Sequence, residues 1–410
     1  MTNVLLFSYS ILLSVTDFIL SLWPSEKLKK MYAGRKETHK RVLDFIKKHP
    51  NPVWIHCASL GEFEQGRPLI EEIKSENSKT PIVLSFFSPS GYEIKKNYPY
   101  ADLIVYLPAD TLKNAKWVSD VVRPKLFIFV KYEFWWNLIH QLVHSPTKTI
   151  LISGVFRHKD YFFNPILTPF KSLLGQFDKL FVQDQDSAKV LQHHNILNFE
   201  VVGDTRIDSV LKNAETVHLD DKWHQWMKQN PVIIYGSVWD SDMDVVKAST
   251  DYFSEYVHII APHDVSFTQV KRIETTINKE MSYWDEDSFA HNIIMVNTIG
   301  LLKNLYKIAD YVYIGGGFHK GIHNILEPAS YGVPVFFGPH HKKFNEATTL
   351  KNIGQGHAIH NFNTMKDFIE QYSHHTALNS QIKKASKLFF EQNKGATHKI
   401  IEYITPTIKK

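Results

Sequence analysis

A single cysteine, Cys57, is the scarcest feature of this 410-residue sequence. One thiol excludes an internal disulfide and any metal site built on several cysteines. Internal repeats and low-complexity tracts are also missing, which leaves a globular chain, and at this length two domains are expected. Charge of one sign is scarce as well, with a net value of only +5. Its placement is informative. Residues 1–50 hold nine Lys/Arg against four acids, so the first fifty residues account for the whole excess and the rest of the chain is balanced.

Long apolar runs are few, and the one that stands out precedes this basic stretch: Val4 to Trp23, VLLFSYSILLSVTDFILSLW. Twenty helical residues at ~1.5 Å each reach roughly 30 Å, about one hydrocarbon core. The run lacks the basic leader and small-residue cleavage site of a signal peptide. Trp23 suits a membrane interface, and the Lys/Arg that follow suit its cytoplasmic side, although Asp17 near one end is unfavourable for a spanning helix. The expectation is an N-terminal membrane anchor over 1–24 with the body on the cytoplasmic face. A docking helix of a soluble protein is the other reading. Nucleic acid would also attract the basic cluster, but the apolar run beside it favours a membrane.

After a basic helical connector (Leu28 to Lys48), short apolar runs alternate with amphipathic stretches. Val53–Ile55, Ile82–Phe86, Leu103–Tyr106, Leu126–Val130, Thr149–Ile152, Lys179–Val182 and Glu200–Val202 read as strands. The rhythm restarts after Gly203-Asp204 with Ile233–Tyr235, His258–Ile260, Ile293–Val296, Tyr311–Ile314 and Val333–Phe337. Alternation of this kind predicts two consecutive doubly wound α/β halves with a cleft near the carboxyl ends of their strands. The expected divisions are 25–208 and 209–380, with a helical tail over 381–410 that crosses back to the first half.

Chemistry-bearing residues follow the predicted strands. Glu62 and Glu64 stand in the loop after Val53–Ile55, where a carboxylate could take a proton from a substrate hydroxyl; acids are equally favoured in a first helical turn. In LFIFVKYEFWWNL (126–138), Glu133 is a second acid, or an ion-pair partner of Lys131. Arg157 and Arg206 could each fork onto a phosphate or carboxylate, or serve in ordinary ion pairs. Gly236-Ser237-Val238 resembles an anion-binding turn. Ala309 to His341 is the richest stretch: strand, Gly315-Gly316-Gly317, loop, a helix from Asn324 toward Tyr331, Gly332, strand. Bare backbone admits a bulky anion, and a helix start favours phosphate. Glu327 completes an Asn-x-x-Glu capping box or accepts from ribose hydroxyls. His319 and His323 have metal-ligand spacing, but Gly321 lies between them in a loop, and no metal is expected.

The blocks HCASLGE (56–62), KYEFWWN (131–137), VVGDTRID (201–208), IIAPHD (259–264), GGG (315–317) and HNILEPASYGVPVFFGPH (323–340) resemble, in order, the 3-deoxy-D-manno-octulosonic acid (Kdo) transferases. The resemblance implies a GT-B glycosyltransferase with two Rossmann-like domains, inverting, using CMP-Kdo as donor and a lipid A precursor as acceptor. It implies no cofactor and no metal, and a place at the cytoplasmic face of the inner membrane. It puts Glu62 on the family's general base and Glu133 on the second acidic position. Arg206, Ser237, His263, Gly316, Gly317, Asn324 and Glu327 fall on the donor side. The chain departs from the family at Pro262, where an arginine is usual, and at Lys131, Trp136, Val238 and Trp239. These departures leave the phosphate contacts open, with Arg157 or His263 as substitutes. A UDP-sugar donor on the same fold, or a non-catalytic binding protein, are the rival readings.

Overall fold

The computed structural model describes residues 2–23, 25–131, 134–216, 230–285 and 290–409. The chain divides into two compact units, Met1–Asp208 with Asn393–Lys410, and Ser209–Gln392.

The first unit is built on strands β1 (Val53–Cys57), β2 (Ile82–Phe86), β3 (Leu103–Tyr106), β4 (Leu126–Val130), β5 (Lys148–Gly154), β6 (Lys179–Val182) and β7 (Phe199–Val201). They pair in the order β3-β2-β1-β4-β5-β6-β7, every pair parallel. Both faces are covered. Trp54, Val83, Phe127 and Phe129 face one apolar cluster, while Val53, Ile55, Leu84 and Ile128 face the other. Burial on both sides is why these strands read as continuous apolar runs without polar alternation.

The second unit repeats the plan with β8 (Val232–Val238), β9 (Val257–Pro262), β10 (Ser282–Tyr283), β11 (Ile293–Met295), β12 (Tyr311–Ile314), β13 (Val335–Phe337) and β14 (Gly356–Ala358). Their order is β10-β11-β9-β8-β12-β13-β14, again all parallel. The sequence pattern missed β10 and β14, each too short to form an apolar run. Each unit is a doubly wound parallel sheet, so the two-domain α/β expectation holds.

Helix α1 (Thr2–Ser21) lies against the first unit with α2 (Glu26–Ile46). Asp17, the awkward acid of the apolar run, pairs with Arg35 of α2 at 2.9 Å and accepts from the Tyr32 hydroxyl at 2.8 Å. Tyr9 donates to the buried Asp110 at 2.9 Å. The other side of α1 is bare: Phe7, Ile11, Val15 and Phe18 are all at least half exposed. Among the described residues no helix is long and apolar enough to cross a membrane. Ser8, Ser10, Ser14, Thr16 and Asp17 dilute the run, so the reach of twenty residues overstates its apolar character.

The predicted tail is two helices, Thr376–Asn393 and Ala396–Ile408. Gly395 between them takes φ +94, a left-handed conformation that glycine adopts without strain. The last helix buries Ala396, Ile400, Ile401 and Ile404 in the first unit's core beside Phe63 and Leu69. Asp208 caps its start, accepting from the N–H groups of Gly395 (2.6 Å) and Thr397 (2.7 Å).

Candidate functional site

In an open parallel sheet, ligands bind beyond the carboxyl ends of the strands where the winding reverses. The reversal falls between β1 and β4 in the first unit and between β8 and β12 in the second. The loops at these four strand ends are Ala58–Gly61, the turn at Lys131, Ser237–Trp239 and Gly315–Gly317. Every one carries a residue singled out from the sequence. Two of these strand ends carry a non-glycine residue with positive φ: Lys131 at +65° and Ser237 at +55°. Such backbone is strained, and it collects at functional loops.

In the first unit, Ser59 caps helix α3 (Leu60–Glu76), accepting from the Gly61 N–H at 3.2 Å. Its hydroxyl donates to Glu62 Oε2. Ser59 and Glu62 thus face each other across the first turn. One carboxylate oxygen is held, and the half-buried side chain stays at the loop mouth. Glu64 is committed elsewhere, to Arg67 at 2.9 Å and Lys95 at 3.7 Å, so it serves the helix surface. Arg206 pairs with Asp204, Nη2 to Oδ2 at 2.6 Å. Burial would raise the Asp204 carboxyl, but Arg206, and beyond it Lys131, hold it below its ordinary value. Arg206 therefore lies in the first unit, whereas the other donor-side candidates lie in the second. Arg157 follows β5, half-buried, with no ion pair among the described residues. Glu133 lies outside the described residues.

Asp110 was not legible as a site residue. It is fully buried and accepts from Tyr9 and from the N–H groups of Asn137 (3.1 Å) and Leu138 (2.9 Å). Burial pushes its pKa up to about 6. Beside it, α1, α2 and the ends of β2 and β3 enclose an apolar cavity of about 420 Å³, lined by Leu20, Leu28, Met31, Phe87 and Trp135.

In the second unit the glycine turn has a different role from the one its composition implied. A side chain at Gly316 (φ +87) would meet the Gly321 carbonyl oxygen at 2.5 Å, and one at Gly317 would meet the Gly338 backbone at 2.5 Å. A side chain at Gly315 would collide with the Ser237 carbonyl. The three bare positions are filled by neighbouring backbone, so the glycines let three loops pack against one another. Asp242 locks them. It is fully buried and accepts from Trp239 N–H (2.8 Å), Tyr313 hydroxyl (2.6 Å) and Gly316 N–H (3.0 Å). Its place just ahead of the Met243–Tyr252 helix was the available signal for it.

The helix expected from Asn324 toward Tyr331 is one short turn, Leu326–Ala329. Asn324 Oδ1 accepts from Leu326 N–H at 3.1 Å. Gly332, at φ +72, closes the following turn. Glu327 is half-buried and near Tyr306 and Tyr331. Burial first, and then its charge, push both phenols up.

Trp239, His263 and His323 form an aromatic group at the ends of β8, β9 and β12. His263 stacks on Trp239 at 4.2 Å and on His323 at 4.5 Å between ring centres. Trp239 Nε1–H donates to His323 Nε2 at 2.8 Å, which assigns the imidazole proton to Nδ1. Burial, and then His263, lower His323 to about 4; burial also lowers His263. At neutral pH the group is an uncharged, flat surface, suited to a ring and not to a phosphate. Positive charge lies nearby: a cavity of about 1010 Å³ is lined by Lys320, Lys342, Lys343 and Lys351 with His340 and His357. His319 contributes ring packing at 6.1 Å from Trp239.

Residues 30–209 match the family model described as 3-deoxy-D-manno-octulosonic-acid transferase (kdotransferase). A relative of that name from Aquifex aeolicus (strain VF5) is 26% identical over 327 residues, covering 77% of this chain and 84% of its own. Another, from Haemophilus influenzae, is 22% identical over 385 residues and covers 88% of both. Among solved structures, the UDP-GlcNAc 2-epimerase of Neisseria meningitidis bound to UDP-GlcNAc superposes with a TM-score of 0.60 at 14% identity, over 87% of this chain and 100% of its own. At that identity the likeness is one of fold alone: two parallel-sheet units resembling those of GT-B glycosyltransferases. The chain is thus similar to the Kdo transferases, over residues 30–209 by the family model and over most of its length by relatives 22–26% identical.

Proposed function

We propose that the protein transfers Kdo from CMP-Kdo to a lipid A precursor with inversion at the anomeric carbon. The observation that carries this reading is positional: family-like blocks supply the loops at both switch points. The acceptor hydroxyl attacks the anomeric carbon of Kdo. The bond from that carbon to the phosphate oxygen breaks, and CMP leaves with the electron pair. Glu62 takes the hydroxyl proton on the oxygen that Ser59 leaves open, and Ser59 fixes the carboxylate's orientation. Glu133 is the second acid of that half. On the donor side, Ser237 offers backbone, Gly316 and Gly317 let the surrounding loops pack together, Asn324 shapes the turn, and Glu327 accepts from the ribose hydroxyls. His263 sits in the aromatic surface, and Arg206 acts from the first unit through its pairing with Asp204. With Pro262 in place of the family's arginine, the lysine-lined cavity and Arg157 are the cationic groups for the donor's anionic parts. No step calls for a metal, since fixed dipoles and lysines stabilise the leaving phosphate.

The exposed apolar face of α1, followed by the lysines of α2, supports attachment to the cytoplasmic face of the inner membrane. The apolar cavity beside α1 and α2 suits the acyl part of a lipid acceptor. Sedimentation with anionic lipid vesicles tests the attachment: Leu12→Asp/Phe18→Asp protein should stay in the supernatant, and unchanged sedimentation counts against it. The donor is tested by equilibrium binding. CMP should bind and UDP should not; a preference for UDP would move the chain to a UDP-sugar donor.

A further inference from the structure

Apart from the loops at the switch points, three histidines converge on the first unit. His158 lies in the loop after β5, His193 ends the Gln185–His193 helix, and His194 caps it. One ring nitrogen of each lies within 4.8 Å of the others. Ring centres are 5.2 Å apart for His158 and His193, 5.0 Å for His193 and His194, and 6.1 Å for His158 and His194. Among the described residues this is the one group of three or more His, Cys, Asp or Glu with such convergence.

The immediate surroundings favour a ligand. His194 lies flat on Phe163, 4.0 Å between ring centres and 6° between planes, which fixes its ring. Its Nε2 is buried without a hydrogen-bond partner, a state that native structures usually explain by a bound water or ion. The side chains of His158 and His193 make no hydrogen bond to protein among the described residues.

We propose that His158, His193 and His194 bind a divalent cation of the zinc class, clamping the loop after β5 to the end of the Gln185–His193 helix. Three imidazoles without a carboxylate suit zinc or nickel and exclude magnesium and calcium. Zn–N bonds of about 2.0–2.1 Å in a tetrahedron need nitrogens about 3.4 Å apart. The two exposed side chains, His158 and His193, close that gap by rotation while His194 stays fixed. Water completes the fourth position. Arg157 directly precedes His158, so the ion also fixes the backbone that carries this guanidinium. The proposal is independent of the transferase reading.

Calorimetric titration of metal-free, full-length protein with Zn²⁺ tests it, with melting curves alongside. One ion per chain should bind and raise the melting temperature. His158→Ala should weaken binding by about tenfold or more, a loss like that of other ligand-shell changes. His158 is exposed and makes no hydrogen bond, so the metal-free melting curve of that variant should match wild type. His140→Ala should leave binding unchanged; it removes one ring of the His140–His144 pair, 4.5 Å apart. Mg²⁺ should have no effect. Absence of zinc binding, equal affinity in His158→Ala, or equal loss in His140→Ala would overturn the site.

Discussion

The two units share a winding plan but hold the polar groups around the carboxyl ends of their strands in different ways. In the first unit the groups are charged and locally tied: Glu62 to Ser59, Arg206 to Asp204, Asp110 to two helix-start amides and Tyr9. In the second, Trp239, His263 and His323 form a stacked aromatic group, and three glycine positions pack against other loops and are locked by the Asp242 carboxylate, with Glu327 and the lysine-lined cavity as the charged groups. A charged, pre-oriented carboxylate suits proton removal. An uncharged, rigid surface suits holding a donor without competing for its charge.

The sharpest way to break this contrast is to remove the ionised group. Glu62→Gln should lower transfer by about 10²–10⁴-fold, the usual worth of a general base, with melting temperature and CMP affinity unchanged. Turnover near wild type would remove Glu62 from the chemistry and leave it as a helix-start residue.

Acid should separate the units next. His258 is fully buried, with Nδ1 2.9 Å from the Tyr235 hydroxyl and Nε2 2.9 Å from the Phe253 carbonyl oxygen, and burial lowers its pKa to about 4. His357 is likewise lowered to about 4 by burial. A depressed folded pKa gives stability that is present above the ordinary value of 6.5 and is lost as pH falls through about 4. For His258 that amounts to on the order of 3 kcal/mol. Asp110 has the opposite sign. Its raised pKa gives the first unit stability that is present below 3.8 and lost as pH rises through about 6. Hydrogen exchange, corrected for intrinsic rates and mapped by mass spectrometry from pH 7 to pH 4, should show protection falling first in Ser209–Gln392. Equal loss in both units would contradict the contrast.

A smaller effect is expected at the glycine turn. Gly317→Ala should destabilise the second unit by about 1–3 kcal/mol, since its methyl group meets the Gly338 backbone. Denaturant midpoints measure it. A neutral result would return the glycines to the role their composition implied, making room for a ligand.

The legibility of the chain follows the range of its interactions. Twelve of the fourteen strands among the described residues were readable, most of them because burial on both faces makes a local apolar run. β10 and β14 were not, since two or three residues such as Gly356–Ala358 leave no pattern. The site loops were found because they follow those strands, so their positions were legible even where their roles were not. The roles depend on distant partners. Nothing near Gly315–Gly317 announces Gly338 or Gly321 as the backbone that fills its bare positions. Nothing near Asp17 announces Arg35, and that pairing turned a flawed spanning run into a docked helix with one bare face. The expected helix after Asn324 was overlong because Pro328 and the left-handed Gly332 leave room for a single turn.

The most direct test of the account is product mass. Full-length protein with CMP-Kdo and a lipid A precursor should yield acceptor heavier by Kdo residues, with CMP released in equal amount. Transfer from a UDP-sugar in place of CMP-Kdo, or no transfer at all by folded, vesicle-bound protein, would contradict it.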